Sequence, residues 1–377
     1  MMKIAIEAQR IFRKRKHGMD MVALEMIREL QKLDKENEYY ILVSPGEDCC
    51  LKETLNFHIV EVKMPTYPLW EQVGLPLALR KIKPNLLHCT SNTAPYFCKV
   101  PLVLTLHDII FLEKRNKGNK SIYQNMGWIY RRLIVPRILP KCDKIITVSR
   151  FECDRIRETL HLPADRITYI YNGFSDHFKP VENSELITRK YLSSEHYFFF
   201  LGNTDPKKNT PRTLKAYALY ARHVSHPYPL LIADLDVQHI DCILEKENIK
   251  DIRSLIHVSG YIVNKDLAAV YSGARAFIYT SLRESFGIPI LEAMSCGVPV
   301  LTSNTSSMPE VAGEGALLVD PYNIKEMASM MINLHENDEL YTSQKEYGFH
   351  RVKLFSWQRT AEQVLEIYHF FYKNVMN

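Results

Sequence analysis

The chain has 377 residues and a mass of 43.9 kDa, which suits two or three domains. Hydrophobic residues make up 46% and charged residues 24%, which excludes a disordered chain, a collagen-like chain and a small disulfide scaffold. The net charge of +5 is unevenly spread: residues 1–180 carry 29 Lys and Arg against 20 Asp and Glu, and the remainder carries 19 against 23. A basic half favours anionic partners such as phosphate ligands or acidic lipids, although an ordinary solvated face explains it equally well.

Three classes of protein fit the sequence poorly. No apolar run reaches the roughly 18 residues that span a bilayer, and the first residues lack the apolar segment of a secretory signal. The eight cysteines show no CxxC pair or framework spacing, which favours reduced thiols in a cytoplasmic protein. We find no zinc-finger spacing or RNP motif, so we expect no nucleic-acid binding.

The first half alternates short apolar runs with amphipathic stretches, a pattern typical of a parallel sheet covered on both faces. The predicted strands are Lys3–Ala8, Tyr39–Val43, Asn85–Cys89, Leu102–Leu106 and Lys144–Val148. The predicted helices are Asp20–Leu33, Leu69–Ile82, Ser121–Leu139 and Phe151–Leu160.

A polar turn at Asn172–Ser175 and a linker at Lys179–Asn183 interrupt this pattern before a second series begins. Its predicted strands are Tyr197–Leu201, Pro229–Ala233, Leu255–Val258, Ala276–Tyr279, Val298–Thr302 and Ala316–Val319. Its predicted helices are Pro211–His223, Asp266–Ser272, Pro289–Ser295 and an amphipathic tail, Ser356–Asn377.

These patterns predict an α/β protein with two doubly wound, Rossmann-like halves that face each other across a cleft. We divide the chain into residues 1–178, residues 179–355 and a final helix, 356–377. Ligands of such sheets bind at the carboxyl ends of the strands, so a cleft between the halves is the expected site.

The strongest local motif is the segment from Glu284 to Glu292, which places two carboxylates eight positions apart. Pro289 suits the first turn of a helix, whose N-terminal amides at 286–288 would attract a phosphate. Gly287 would let an anion approach the backbone. A surface loop with two unrelated glutamates is the alternative.

A second candidate anion site is the loop Gly202–Asn209, which follows a predicted strand and precedes a predicted helix. Lys207 and Lys208 in this loop could hold a diphosphate as point charges. Lysines in a turn are also common solvated surface residues. A diphosphate-binding role is favoured because this loop should lie at the same sheet edge as Glu284.

Two residues of the first half also follow predicted strands. His107 could donate to a sugar hydroxyl or stabilise a developing charge, whereas a structural histidine held by Asp108 is the alternative. Gly18 would let a phosphate approach the chain, or it forms a plain turn.

Several nucleotide and metal motifs are absent from the sequence. There is no GxGxxG fingerprint and no P-loop, and no helical metal-ligand spacing of the HExxH kind. Asp234-Leu235-Asp236 matches the DxD motif of metal-dependent sugar transferases. The single-domain sequence pattern that surrounds this motif in those enzymes is missing, so we expect no metal site there.

Taken together, these motifs resemble those of the retaining glycosyltransferases of family 4, which have the two-Rossmann-domain architecture called GT-B. The resemblance covers nearly the whole chain. It is most specific at the loop Gly202–Asn209, the E-x7-E segment from Glu284 to Glu292 with its Phe-Gly-Ile-Pro interior, and the runs 292–300, 309–313 and 320–321.

The resemblance implies a metal-independent transfer of a hexose from a nucleotide diphosphate sugar to a hydroxyl, with retention of configuration. It implies Glu284 and His107 as catalytic residues, with Glu284 on the donor sugar and Glu292 on the ribose. The donor-binding residues it implies are Gly18, Gly202, Lys207, Lys208, Tyr261, Ile262, Ser285, Phe286, Gly287, Ile288 and Glu292.

Two departures from the family weaken particular assignments. Many members carry two glycines in the first loop, where this chain has only Gly18, and many carry Arg in the donor-phosphate loop, where this chain has Asn203 and Lys207. Lys keeps the charge of Arg but loses its bidentate fork. Lys207 is therefore a weaker assignment than Lys208.

The donor and acceptor are less defined than the reaction. The lysine pair resembles that of many mannosyltransferases, so GDP-mannose is the first expectation and UDP-glucose or UDP-N-acetylglucosamine the next. The loop Phe111–Asn125 is a candidate acceptor loop without a readable motif. The basic half fits a polyprenyl-diphosphate-linked glycan at the inner membrane face, with peripheral contact to anionic lipid.

Three alternatives remain open at this stage. A pyridoxal-dependent phosphorylase of the same architecture would be longer and would need a recognisable Schiff-base lysine. An epimerase of the same fold would act without an acceptor. A non-catalytic two-lobed binding protein would need neither Glu284 nor a diphosphate site.

Overall fold

The computed structural model describes residues 1–112 and 122–376, except for the side chains of 122–125 and 372–376. Two compact units divide the chain. Unit 1 comprises residues 1–173 together with 357–377, and unit 2 comprises residues 174–356. The first part of the candidate acceptor loop, Phe111 and Leu112, forms a short turn, whereas residues 113–121 of it lie outside the described residues.

Each unit is built on one parallel sheet. The unit 1 sheet has the order β3-β2-β1-β4-β5-β6-β7 and the unit 2 sheet the order β10-β9-β8-β11-β12-β13. The strands of unit 1 are β1 Lys3–Glu7, β2 Glu38–Val43, β3 Phe57–Glu61, β4 Leu86–Cys89, β5 Leu102–Thr105, β6 Lys144–Thr147 and β7 Ile167–Tyr169. Those of unit 2 are β8 Phe198–Leu201, β9 Leu230–Ala233, β10 Ile256–Gly260, β11 Ala276–Tyr279, β12 Val300–Ser303 and β13 Leu317–Val319.

Helices connect these strands and cover both faces of each sheet. The helices before residue 200 are α1 Gly18–Leu33, α2 Tyr67–Leu69, α3 Leu75–Ile82, α4 Ile122–Ile138, α5 Arg150–Leu160 and α6 Glu185–Thr188, with a π-helical turn Trp70–Gly74 between α2 and α3. Those that follow are α7 Thr210–His223, α8 Val237–Lys246, α9 Asn264–Ser272, α10 Ile288–Ser295, α11 Met308–Ala312, α12 Ile324–Glu336, α13 Asp338–Val352 and α14 Trp357–Met376.

The central strands are buried at every position and mostly apolar because both of their faces are covered. All four residues of β4, β5, β9 and β11 are buried, as expected for strands between two helical layers. The sheet order reverses direction between β1 and β4 in unit 1, and between β8 and β11 in unit 2. Ligands of doubly wound sheets bind at such reversal points, beyond the carboxyl ends of the strands.

The sequence-based prediction of two doubly wound α/β halves is confirmed. Every predicted strand is present with bounds that differ by at most two residues. The strands β3 and β7 were not predicted, since both lie at the edges of the sheet, where most of their residues are only partly buried and apolar patterning is weakest. Within the described residues, no helix combines the length and apolar character needed to cross a membrane.

The C-terminal helix α14 belongs to unit 1 and packs on α1. Its Tyr368 is buried, and the tyrosine hydroxyl lies 2.6 Å from Nδ1 of His88 on β4. The other ring nitrogen of His88 lies 2.8 Å from the hydroxyl of Thr105 on β5. Burial lowers the pKa of His88 to about 3, so the neutral ring uses both nitrogens to link the helix to the sheet.

Tyr368→Phe should therefore destabilise unit 1 by about 1–3 kcal/mol, because it leaves one buried ring nitrogen of His88 without a partner. All three tryptophans, Trp70, Trp128 and Trp357, belong to unit 1. Urea unfolding followed by tryptophan fluorescence thus measures the free energy of unfolding of this unit selectively.

Tyr40→Phe is the matched control, since the Tyr40 hydroxyl donates to Glu38 at 2.8 Å near the surface, where water can replace the lost bond. We expect this variant to change the free energy of unfolding by less than about 1 kcal/mol. Equal effects of the two substitutions would contradict the linking role of His88.

Candidate active site

The loops that leave the carboxyl ends of the unit 2 strands contain an unusual set of backbone conformations. Five residues at this edge have positive φ angles, which are uncommon outside glycine and often occur at functional sites. They are Asn209 (59°), Asp234 (60°), Gly260 (66°), Gly287 (106°) and Ser306 (61°). Gly260 ends β10, and the other four follow β8, β9, β11 and β12.

An ion pair joins two of these loops. Nζ of Lys208, in the turn after β8, lies 2.7 Å from Oε1 of Glu284, in the loop after β11. Both side chains are largely buried. The hydroxyl of Tyr279, at the end of β11, lies 3.3 Å from the same ammonium group. The predicted diphosphate lysine and the predicted catalytic carboxylate are therefore in direct contact beside the reversal point between β8 and β11.

Backbone and amide hydrogen bonds fix the lysine loop against its neighbours. Leu282 N donates to the carbonyl of Lys207 at 2.7 Å. Asn209, which is buried, donates through Nδ2 to the carbonyls of Thr280 (3.0 Å) and Pro321 (2.8 Å). The carbonyl of Lys207 thus joins the lysine loop to the loop after β11, whereas the ammonium group of Lys208 forms the ion pair.

Two serines hold the backbone of Glu284, and sequence reasoning missed both. The Ser306 hydroxyl accepts from Glu284 N at 3.1 Å and donates to Glu284 O at 2.5 Å. Ser307 Oγ lies 2.9 Å from the carbonyls of both Glu284 and Phe286. Both serines follow β12 at the same sheet edge, so the rule that located Glu284 could also have indicated them.

Helix α10 begins directly after Gly287, as the motif predicted, with Pro289 in its first turn. Glu292 lies one turn further along, and its carboxylate accepts from the Tyr271 hydroxyl at 3.3 Å. Burial raises the pKa of Glu292 to about 7. Its carboxyl group is therefore poised between the charged and the neutral form near neutral pH.

The remaining predicted donor residues lie along the same edge. A side chain at Gly202 would collide with Leu235, so this glycine is needed for close packing of the loops after β8 and β9. Tyr261 and Ile262 follow β10, two strands away from β8, with Tyr261 exposed and Ile262 buried. Ser285 lies partly exposed between Glu284 and the buried Phe286, and Ile288 is the first residue of α10.

One aspartate of the DxD sequence has a structural role, since Asp236 caps α8 by accepting from His239 N at 2.7 Å. The backbone amide of Asp234 donates to the carbonyl of Gly260 at 2.8 Å. Within the described part of the chain, no three His, Cys, Asp or Glu side chains form a group that could hold a metal ion.

In unit 1, the predicted catalytic histidine is buried and fixed by the segment after β4. The ring nitrogen Nε2 of His107 lies 2.9 Å from the carbonyl of Thr90, and His107 N donates to Oδ1 of Asn92 at 2.6 Å. Burial lowers the pKa of His107. Because a carbonyl can only accept, Nε2 carries the proton of the neutral ring. Asp108 accepts from Ile110 N at 3.0 Å, and its negative charge opposes the lowering of the His107 pKa.

A buried acidic pair, Glu7 and Glu71, was not predicted, and Thr90 links Glu7 to His107. Glu7, at the end of β1, accepts from Gln9 N at 3.0 Å and from Thr90 N at 3.1 Å. Burial raises the pKa of Glu7 to about 7 and raises that of Glu71 as well, and the charge of Glu71 adds to the shift of Glu7.

Gly18, the predicted phosphate-side glycine, begins α1 and has open space where a side chain would lie.

Comparison with known proteins identifies the family. The model for "Glycosyl transferases group 1" matches residues 185–351, and that for "Glycosyltransferase Family 4" matches residues 17–178. The chain is 30% identical to O-antigen chain mannosyltransferase B of Escherichia coli over 294 residues, which cover 77% of this chain and 76% of that protein. This chain belongs to glycosyltransferase family 4. It is thus a glycosyltransferase, and the expected family and enzyme class are confirmed.

A further sequence relative and two solved structures are similar to this family 4 glycosyltransferase. It is 25% identical to the serotype-specific mannosyltransferase WbdA of Escherichia coli, of which it spans 38%. Sucrose-phosphate synthase from Thermosynechococcus elongatus has the same fold, with a TM-score of 0.76, 18% identity and coverage of 99% of this chain and 100% of that one. WaaG, a glycosyltransferase involved in lipopolysaccharide biosynthesis, gives a TM-score of 0.72 at 15% identity, with coverage of 97% and 99%. The expected GT-B fold class is confirmed.

The raised pKa of Glu292 predicts a pH-dependent stability of unit 2. A carboxyl group whose pKa is about 7 in the folded state and about 4.5 when unfolded binds a proton more readily when folded. Its contribution to stability is fully present below pH 4.5 and is lost as pH rises through 7. Relative to Glu292→Gln, the wild type should lose about 2–3 kcal/mol between pH 5 and pH 8.

Urea unfolding followed by far-UV circular dichroism at both pH values measures this difference. Tryptophan fluorescence, which reports unit 1 alone, supplies the baseline from the same samples, and it should show the same pH dependence in both proteins. A parallel pH dependence of wild type and Glu292→Gln in the circular dichroism signal would contradict the shift.

Proposed function

We propose that this enzyme transfers a mannosyl residue from GDP-mannose to a hydroxyl of a lipid-linked glycan, with retention of configuration, during assembly of a cell-surface polysaccharide. The observation that carries the proposal is the ion pair between Lys208 and Glu284 beside the N-terminus of α10. The choice of mannose is supported by relatives named O-antigen chain mannosyltransferase in Escherichia coli and Salmonella typhimurium.

The donor would bind along the carboxyl edge of unit 2. In the proposed arrangement, Lys208 and the amides at 286–288 hold the diphosphate with support from Lys207, and Glu284 contacts the hydroxyls of the sugar. Glu292 binds the ribose, and the loop containing Tyr261 and Ile262 contacts the base. Gly202 lets the loop after β8 pack closely against Leu235 in the loop after β9, which would leave the carboxyl edge of the sheet accessible to the diphosphate.

The reaction breaks the bond between the anomeric carbon and the diphosphate oxygen and forms a bond to the acceptor oxygen. Negative charge grows on the leaving diphosphate while positive charge grows on the sugar ring. Lys208 and the dipole of α10 stabilise the first charge, and Glu284 stabilises the second. The leaving phosphate accepts the proton of the acceptor hydroxyl. Because Lys208 and the helix terminus neutralise the diphosphate, we propose that no metal ion is required.

Unit 1 would supply the acceptor side. His107 is neutral and its Nε2 proton is directed to the Thr90 carbonyl, so its other ring nitrogen would accept a hydrogen bond from a sugar hydroxyl. Gly18, with open space at its Cα, would admit the phosphate side of the donor. The surplus of positive charge in residues 1–180 supports a polyprenyl-diphosphate-linked acceptor and peripheral contact with an anionic membrane.

A ligand that binds only the folded protein raises its melting temperature by mass action. We therefore expect GDP and GDP-mannose to raise the melting temperature with and without magnesium, and UDP, ADP and their sugar conjugates to have smaller effects. A thermal-shift titration up to millimolar nucleotide tests this. A larger effect of UDP than of GDP would show that the donor carries uracil and not guanine. No shift with any nucleotide would contradict the donor site.

Lys208→Met should abolish the GDP-induced shift, whereas Lys207→Met is the matched control and should keep most of it, since only Lys208 reaches Glu284. Equal losses in the two variants would show that the lysines act only through their summed charge, contrary to the role proposed for Lys208.

Glu284→Gln should lower turnover at least about 100-fold, because it removes the negative charge that stabilises the sugar ring in the transition state. The measurement is GDP release from GDP-mannose in the presence of a bacterial lipid extract. The GDP-induced rise in melting temperature should persist, since Lys208 stays in place.

Glu314→Gln is the control for loss of one carboxylate, because Glu314 is exposed in the loop between α11 and β13. It should keep wild-type turnover. Wild-type turnover in Glu284→Gln would refute the assigned role of Glu284.

A further inference from the structure

Helix α4 of unit 1 carries a row of exposed large apolar side chains. Met126, Ile129 and Leu133 are 61%, 49% and 54% exposed. Their spacing of three and four residues places them on one face of the helix. Single exposed apolar residues are ordinary on protein surfaces, but a continuous row marks an interaction surface.

Positive charge flanks this row, and α4 contains no acidic residue. Arg132 and Arg137 are both exposed, and helical spacing places them on either side of the apolar row. The Arg132 guanidinium also lies over the ring of Trp128, with 5.0 Å from Cζ to the ring centroid. The exposed face of α4 thus combines aliphatic side chains with arginines.

A second row of the same kind lies on the neighbouring segment that runs from α2 through the π-helical turn to α3. Leu69, Val73 and Leu77 are 42% to 46% exposed and are spaced four residues apart. Arg80 is exposed in the last turn of this segment. Its single acidic residue, Glu71, is fully buried.

Tyr130 joins the two segments. Its hydroxyl donates to Glu71 and accepts from Gln72 Nε2 at 2.7 Å, and its ring meets that of Tyr67 edge-on at 5.9 Å. Because the buried Glu71 accepts this bond, Tyr130 fixes α4 to the π-helical turn. The two exposed rows therefore belong to elements that are held together, and we call them the α4 surface.

We propose that the α4 surface docks unit 1 onto an anionic lipid bilayer. Helices that lie in the membrane interface bury an aliphatic row among the acyl chains, and their flanking cationic side chains reach the headgroups. Exposed arginines without an exposed carboxylate on either segment complement a negatively charged surface. The inference rests on the proposed lipid-linked acceptor and assigns the residues that would contact the membrane.

The test is co-sedimentation of the full-length protein with vesicles of phosphatidylcholine containing about 30% phosphatidylglycerol. Ile129→Ser with Leu133→Ser should weaken binding about tenfold or more through loss of apolar burial. Arg132→Gln with Arg137→Gln should weaken it about 20-fold at low salt, since each basic residue near an anionic surface is worth about fivefold. High salt should reduce wild-type binding.

Matched controls remove an apolar side chain or two positive charges elsewhere in unit 1. Leu55→Ser removes a fully exposed leucine, and Lys35→Gln with Lys52→Gln removes two exposed cations. Both controls should bind vesicles as the wild type does. Every variant should keep the far-UV circular dichroism spectrum of the folded protein and the GDP-induced rise in melting temperature, which shows that the fold and the donor site are intact.

Three results would overturn the inference. The first is failure of the wild type to bind anionic vesicles, or equal binding to pure phosphatidylcholine. The second is wild-type binding by both α4 variants. The third is a dimer by light scattering that the α4 variants convert to a monomer, because the surface would then join two copies of the chain. Vesicle binding without any nucleotide-induced shift would instead contradict the proposed function and leave the docking surface standing.

Discussion

Parallel sheets covered by helices on both faces leave little room for polar chemistry except at the ends of the strands. In this protein the functional polar groups follow that constraint in both units. Lys208, Glu284 and Ser306 come after β8, β11 and β12. Glu7 is the last residue of β1, and His107 comes after β5. In each unit the cluster lies at the carboxyl edge beside the point where the strand order reverses. The strands can therefore be almost wholly apolar while the loops that follow them carry charge.

The ion pair between Lys208 and Glu284 illustrates how those loops are used. A largely buried ion pair adds little net stability, because the cost of removing two charges from water offsets their attraction. Its position is therefore better explained by chemistry than by folding. Asn209 and the two serines after β12 satisfy the backbone around the pair, so both charged side chains are held in place before any ligand arrives.

The sequence predicts the parts of this structure that depend on local pattern. The apolar strands, the start of α10 after Gly287 and the position of Glu284 all follow from short motifs. The contacts of Ser306 with Glu284 span 22 positions in sequence, and the bond from Tyr130 to Glu71 spans 59. Such contacts depend on how the loops pack, and no local pattern encodes them. For the same reason, no local pattern indicates the contact of His107 with Thr90, which depends on the packing of β4 beside β5.

The serine segment after β12 also defines the smallest piece of this enzyme that could be exchanged with a relative. One hydroxyl, that of Ser306, contacts both the amide and the carbonyl of Glu284, and Ser307 contacts the same carbonyl and that of Phe286. A chimera that transplants the E-x7-E segment alone would separate the carboxylate from this support. Residues 303–307 would have to move with it, although residues 293–302, which include the end of α10 and most of β12, lie between the two stretches in sequence.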